Sequence, residues 1–182
     1  DCLLSRGLGD VYKRQLKVPE GADAGTSVDT GFIVMNHRNY PCFTEVLEQL
    51  GVAVEDSSMT FSFYDQQTDY GYAGNSLKTL FPSTSYYYKP KHLSFVLDLL
   101  RFSRIGYRDL NSGYLKGKSL GKYCKERRFG HAFLNNYLYP MGAAIWSSPI
   151  EEVHGFPAQP YLHFLENHGL LRLTNRPQWK FV

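Results

Sequence analysis

The amino-acid sequence predicts an α+β fold, and three observations predict it. Strand-like runs are confined to the front of the chain, up to Gly74. From residue 76 onward, apolar residues recur mostly at helical spacing. Strands come first and helices after, with no internal repeat and no linker within the body, which is the order of an α+β module. At 182 residues the chain suits one domain of ordinary size.

Taken in order, the first fifteen residues, DCLLSRGLGDVYKRQ, show neither strand nor helix periodicity. Gly7–Leu8–Gly9 imitates the opening of a dinucleotide fingerprint, but Tyr12 stands where the third glycine belongs and no strand precedes it. This leader looks foreign and is set apart from a body running from 16 to 182. Val18–Pro19–Glu20–Gly21 reads as a turn. Ser27 to Met35 reads as a strand interrupted by Gly31. Tyr40 to Leu50 reads as a helix, with Phe43, Val46, Leu47 and Leu50 on one face, Asn39 as its cap and Gly51 as its stop. Met59, Phe61 and Phe63, then Tyr70 and Tyr72 beyond the polar Asp65–Thr68 turn, suggest a hairpin. Pro90 to Ile105 is the clearest helix, with Leu93, Val96, Leu97 and Leu100 as its apolar face. Ser119 caps a helix reaching Arg128, and a third starts near His131 and runs to Pro140 or a little beyond. Short helices follow at Pro149 to His154 and Pro160 to Asn167, the last ended by Gly169.

Composition narrows the function. Apolar residues make up 43% and aromatics 15%, enough to build a core, and on composition alone an aromatic core is favoured over a ring-lined cavity. The net charge of +3 is too small to argue for nucleic acid. The basic run Lys122, Lys125, Arg127 and Arg128 reads as a solvated helix face. Cys2, Cys42 and Cys124 form no disulfide framework, which points to a reducing compartment and a cytoplasmic location. No run of 18 apolar residues is present to suggest a spanning helix, and the leader lacks the features of a signal peptide.

The sequence contains no nucleophile elbow, phosphate loop or metalloprotease helix motif. No ligand set is spaced for structural zinc, and the histidines read as surface or structural groups. Glu45, Glu48, Glu151 and Glu152 read as exposed helix positions. Two segments are stranger than a generic core requires. In Val28–Asp29–Thr30–Gly31–Phe32, an Asp and a Gly interrupt an apolar strand: this is either a bulged edge or a backbone that a flat ring must approach. In Tyr139–Pro140–Met141–Gly142–Ala143–Ala144–Ile145–Trp146, proline kinks or ends a helix and small residues follow. This is either tight helix packing or a gap beside soft and flat apolar surface.

These segments resemble blocks of the bacterial flavin-containing amine oxidoreductases, relatives of monoamine oxidases, protoporphyrinogen oxidases and phytoene desaturases. The blocks are VDTGFIVMNHRNYP (Val28 to Pro41), LGVAVEDSSMTFSF with YAGNSL (Leu50 to Leu77), YLYPMGAAIWSSP (Tyr137 to Pro149) and FLENHGLLRLTNRPQW (Phe164 to Trp179). They stand in the family's order across nearly all of the body. The resemblance implies FAD as cofactor and an incomplete FAD-binding α/β fold joined to a mostly helical substrate domain. It implies that Asp29, Thr30, Gly31 and Phe32 lie against the flavin. Met141, Gly142 and Trp146 would line the substrate side, and the stretch from Ser76 to Leu138 would cap the cavity. The family's nucleotide-binding glycine turn would precede Leu16 and its later flavin-binding segments would follow Val182, so the chain is expected to be an internal fragment, inactive alone. The activity implied is transfer of a hydride equivalent from an organic, apolar small molecule, covered by an aromatic-rich lid, to flavin, with no catalytic residue assignable and no metal. The competing expectation is a non-catalytic helical binding module with an aromatic-rich pocket.

Overall fold

The computed structural model describes residues 15–29, 34–74, 76–171 and 176–181. It divides into two compact units, one formed by the chain up to Met59 together with the segment from Gln178, the other by Thr60–Pro177. Strands and helices are both present, as an α+β class requires. In chain order the elements are β1 (Gln15–Lys17), β2 (Ser27–Asp29), β3 (Val34–Met35), α1 (Pro41–Gln49), β4 (Glu55–Ser57), β5 (Ser62–Asp65), β6 (Tyr70–Ala73), α2 (Leu77–Leu80), a 3₁₀ turn (Thr84–Tyr88), α3 (Pro90–Asn111), α4 (Leu120–Glu126), α5 (His131–Phe133), a π turn (Leu134–Leu138), α6 (Tyr139–Trp146), α7 (Ile150–Val153), α8 (Ala158–Asn167) and β7 (Trp179–Phe181).

In the first unit, β1 and β2 form an antiparallel hairpin with Leu16 opposite Val28. Its connection is closed by Val18 N–H donating to the Thr26 carbonyl and Gly25 N–H donating to that of Val18. Gly21 and Gly25 both take positive φ there, which glycine permits without steric cost. A second sheet is antiparallel in the order β3-β7-β4. Val34 faces Phe181 on one side of β7, and Ser57 faces Trp179 on the other. The expected single strand from Ser27 to Met35 is therefore two strands in two different sheets. β1, β4 and β7 had no counterpart in the sequence reading, because three-residue strands are too short to display alternation. Helix α1 forms where expected, with Pro41 at N1, where a missing N–H costs nothing. Its cap position is Tyr40, not Asn39, whose N–H is held by the Asn36 side chain. Of the expected apolar face only Leu47 is buried, while Phe43, Val46 and Leu50 are exposed.

In the second unit, β5 and β6 form the expected hairpin, with Phe63 opposite Tyr72 and Asp65 opposite Tyr70. Asp65 sets the turn by accepting from Gln67 N–H at 3.0 Å and from the Thr68 hydroxyl at 2.6 Å. Helix α3 is the backbone of this unit and is longer than expected, ending at Asn111. Its buried residues are His92, Phe95, Phe102 and Gly106, with Asp98 and Asp109 also turned inward. The face read from the sequence is mostly turned outward: Leu93, Leu97 and Leu100 are exposed, while Val96 packs against the core. Leucine spacing decided that reading. The core instead selected the aromatic row, because Phe and Tyr bury more area per residue than leucine. Gly106 lets α3 come close to its neighbours, since a Cβ there would sit 3.1 Å from Leu171 and 3.3 Å from Leu162.

Ser119 caps α4 by accepting from Lys122 N–H, as its position suggested. The basic run beyond it is not uniformly solvated. Arg127 donates from Nε and Nη2 to the two carboxylate oxygens of buried Asp109, at 2.7 and 2.8 Å. Residues 131–146 stay helical throughout, so the expected helix break at Pro140 does not occur. Proline removes the N–H that would bond the carbonyl of Asn136, four residues earlier. That carbonyl accepts instead from the Tyr72 hydroxyl at 2.8 Å, and the backbone widens into a π turn just before the proline. The helix ends at Ser147, which takes left-handed geometry. α7 and α8 fall where expected, with α8 beginning two residues earlier, and Gly169 follows at positive φ.

Candidate functional site

The two segments expected to carry a site stand as follows. Asp29 is the last residue of β2, paired with Gln15 across the hairpin. Thr30, Gly31 and Phe32 lie outside the described residues. Where the block resumes, Met35 and Asn36 are fully buried. The side-chain N–H groups of Asn36 and of nearby Asn39 are buried without an acceptor. Such orphaned donors are rare in folded proteins and call for a partner.

Met141, Gly142 and Trp146 lie together on α6. Met141 is buried in the core of the helical unit. A Cβ at Gly142 would come within 2.7 Å of Val153 Cγ1 and 2.9 Å of Tyr161 Cε2, so the absence of a side chain serves helix packing. Tyr161 locks this contact by donating to the Leu138 carbonyl at 2.6 Å, and burial pushes its phenol far above the ordinary value. Trp146 is 38% exposed and packs on Phe156, Tyr161 and Phe164, with ring centroids 5.0 to 5.7 Å apart. It is the member of this trio that offers surface to a ligand.

A concavity lies elsewhere in the helical unit. An open groove of about 1040 Å³ runs between the β5–β6 hairpin and the 78–89 segment. Rings supply its apolar surface. Tyr64 is exposed and lies over Gly71, where a Cβ would be 2.9 Å from the Tyr64 ring. Phe81 and Tyr87 stack nearly parallel, with centroids 4.6 Å apart. Tyr86 closes the floor: its hydroxyl accepts from Gly71 N–H at 3.2 Å, and the Lys89 ammonium sits 4.2 Å above its ring. Ser83, Thr84, Ser85 and Thr79 bring hydroxyls to the rim, and Lys78 and Lys89 bring positive charge. Asp69, which accepts from the Tyr64 hydroxyl at 3.0 Å and raises its pKa, brings a carboxylate to the groove.

Behind the groove stands His92, buried among Tyr70, Phe81, Tyr86 and Phe95. Its Nδ1 is 2.9 Å from the Tyr70 hydroxyl. Burial lowers its pKa below the ordinary value, against an opposing pull from the Leu80 backbone. Burial raises the Tyr70 phenol to about 12. The pair is thus neutral near pH 7 and structural, as the reading of the histidines held. The arrangement suits binding: flat apolar surface, hydroxyls and two cations, without a nucleophile–base pair. The sequence reading did not single out this groove, although Tyr86 and Tyr87 supply two of its rings. Lys78, on the one-turn helix α2, and Phe81 and Lys89, in the connections beside it, gave no signal, because elements so short carry no periodicity.

Among the described residues, no group of three or more His, Cys, Asp or Glu is placed to hold a metal ion. Among them, too, no helix is long and apolar enough to cross a membrane. No protein-family model, curated protein or solved structure matches this chain.

Proposed function

We propose that the chain is the middle segment of an FAD-dependent oxidoreductase of the amine-oxidase type, comprising part of the flavin-binding sheet and a helical substrate unit. The observation that carries this reading is the position of β7. It lies between β3 and β4, so Val34–Met35 of the block Val28–Pro41 pairs with Lys180–Phe181, directly after the block Phe164–Trp179, although the whole helical unit separates them in sequence. A sheet unit and a helical unit are what the resemblance implies for the flavin and substrate domains. The orphaned donors of Asn36 and Asn39, just beyond the Val-Asp-Thr-Gly-Phe element, fit an acceptor-rich group such as FAD.

When bound, FAD accepts the hydride equivalent. The protein's task is to orient the substrate and exclude water. In this reading Asp29, Thr30, Gly31 and Phe32 lie along the flavin. Trp146 presents its ring toward a small, apolar organic substrate, while Met141 and Gly142 hold its helix in place. The setting is the cytoplasm of a bacterium. The complete reading frame tests this. It is expected to encode a strand and a GxGxxG turn ahead of Leu16, and to continue past Val182 into further flavin-binding sequence. A frame without the strand and glycine turn overturns the reading.

The aromatic groove favours a second reading, in which the helical unit is a binding module for a flat apolar ligand and carries out no redox chemistry. A complete protein that binds such a ligand in the groove but holds no flavin would select it.

A further inference from the structure

The groove between the β5–β6 hairpin and the 78–89 segment holds rings and charge that the fold itself leaves unused. Tyr64 stands opposite Gly71 in the hairpin register, and its ring lies over that glycine. The Asp69 carboxylate fixes the ring there by accepting from its hydroxyl. Tyr64 is nevertheless 65% exposed, and Tyr87, stacked on Phe81, is 55% exposed. Tyr86 is buried beside them, held by Gly71 N–H and by stacking on Tyr70 at 5.6 Å between centroids. These rings are held in place by the fold, so a flat ligand loses little in ordering them. Charge is left over as well. Among the described residues that line the groove, Lys78 and Lys89 are cations and Asp69 is an anion. Neither lysine forms an ion pair with a described carboxylate. Lys89 rests its ammonium over the Tyr86 ring, a contact that positions the charge without cancelling it.

We propose that the groove binds a planar aromatic anion, its ring laid on the exposed tyrosine rings and its carboxylate or phosphate turned to Lys78 and Lys89. The groove's volume of about 1040 Å³ suits a small molecule. A neutral flat ligand would use the rings and leave both ammonium groups unanswered. A cationic one would have to share the groove with them. Two lysines are too few to track a nucleic-acid backbone, whose binding rests on many phosphate contacts. The inference rests on the second reading above, in which the groove is a ligand site, and adds the charge of the ligand. It does not depend on whether the protein holds flavin.

The test is titration calorimetry of the chain with 2-naphthoate, with its uncharged isostere 2-naphthamide, and with acetate. At low ionic strength the naphthoate is expected to bind about 10-fold more tightly than the amide, since two exposed charge contacts are worth little more than that. Salt is expected to close the gap. Acetate, which lacks the ring, is expected to bind far more weakly than either. Lys78→Gln should narrow the gap and Lys78→Gln/Lys89→Gln should erase it, with the amide's affinity unchanged. Tyr87→Ala should weaken both aromatic probes. Circular dichroism of each variant checks that the helical unit remains folded. Equal binding of naphthoate and amide, or a gap that survives the double lysine variant, overturns the proposal while leaving the groove as a site for neutral flat ligands. Acetate binding as tightly as naphthoate, or naphthoate binding that Tyr87→Ala leaves unchanged, also overturns it. Failure of both aromatic probes to bind overturns it together with the second reading.

Discussion

His92 shows how much one buried side chain can set. Its ring is edge-on to Phe81 and Tyr86, with centroids 4.9 Å away in each case, and its neutral form is the one the core accepts. The unfolded chain protonates at the ordinary histidine value of 6.5, and the folded chain only below it. Stability is therefore complete above 6.5 and falls as the pH drops toward the lowered value, because the unfolded state takes up the proton first. The urea midpoint of the parent is expected to fall between about pH 7 and about pH 5 more steeply than that of His92→Phe. Parallel pH profiles would remove His92 from this role. Gly142 makes a second residue-scale case. Gly142→Ala would gain helix propensity, but its Cβ would press on Val153 and the Tyr161 ring, both buried. Overpacking wins over propensity here, and thermal unfolding should show a net loss of about 1–3 kcal/mol. An unchanged or raised midpoint would mean that α6 shifts freely.

At the scale of elements, the π turn and Pro140 act as one device. Tyr72 reaches from β6 to the carbonyl that the proline cannot serve. Removing the hydroxyl by Tyr72→Phe keeps the ring on Phe95 but strands a carbonyl in the interior. The expected cost is about 1–2 kcal/mol. In a Pro140→Ala background the new N–H can serve that carbonyl, so the same change should cost clearly less. Additive effects in a double-mutant cycle would refute the link. Elements also show what the sequence could and could not reveal. The β5–β6 hairpin, the Ser119 cap and the helix stops at Gly51 and Gly169 were legible because each rests on local turn or cap chemistry. The inward face of α3 was not, because the helix has apolar rows on two sides and only tertiary packing chooses between them. The π turn was invisible for a similar reason: a residue 64 positions away makes it possible.

The whole molecule joins a discontinuous sheet unit to a helical unit formed by a single stretch of chain. Three-residue strands hid the sheet pairing from a sequence reading, so β7 was recognised only as part of a motif block. The candidate groove was not legible, since its lysines and hydroxyls come from a one-turn helix, a 3₁₀ turn and their flanks, too short to show periodicity. The sheet pairing brings Val34–Met35 and Trp179–Phe181 together in one sheet, the proposed seat of the flavin, while Asp29 stands in the separate β1–β2 hairpin. The most direct measurement is the flavin content of the protein expressed from its complete reading frame. The protein is denatured, and the released cofactor is identified and counted per chain. The account predicts FAD at close to one per chain. A correctly folded, complete protein that releases no flavin would contradict it.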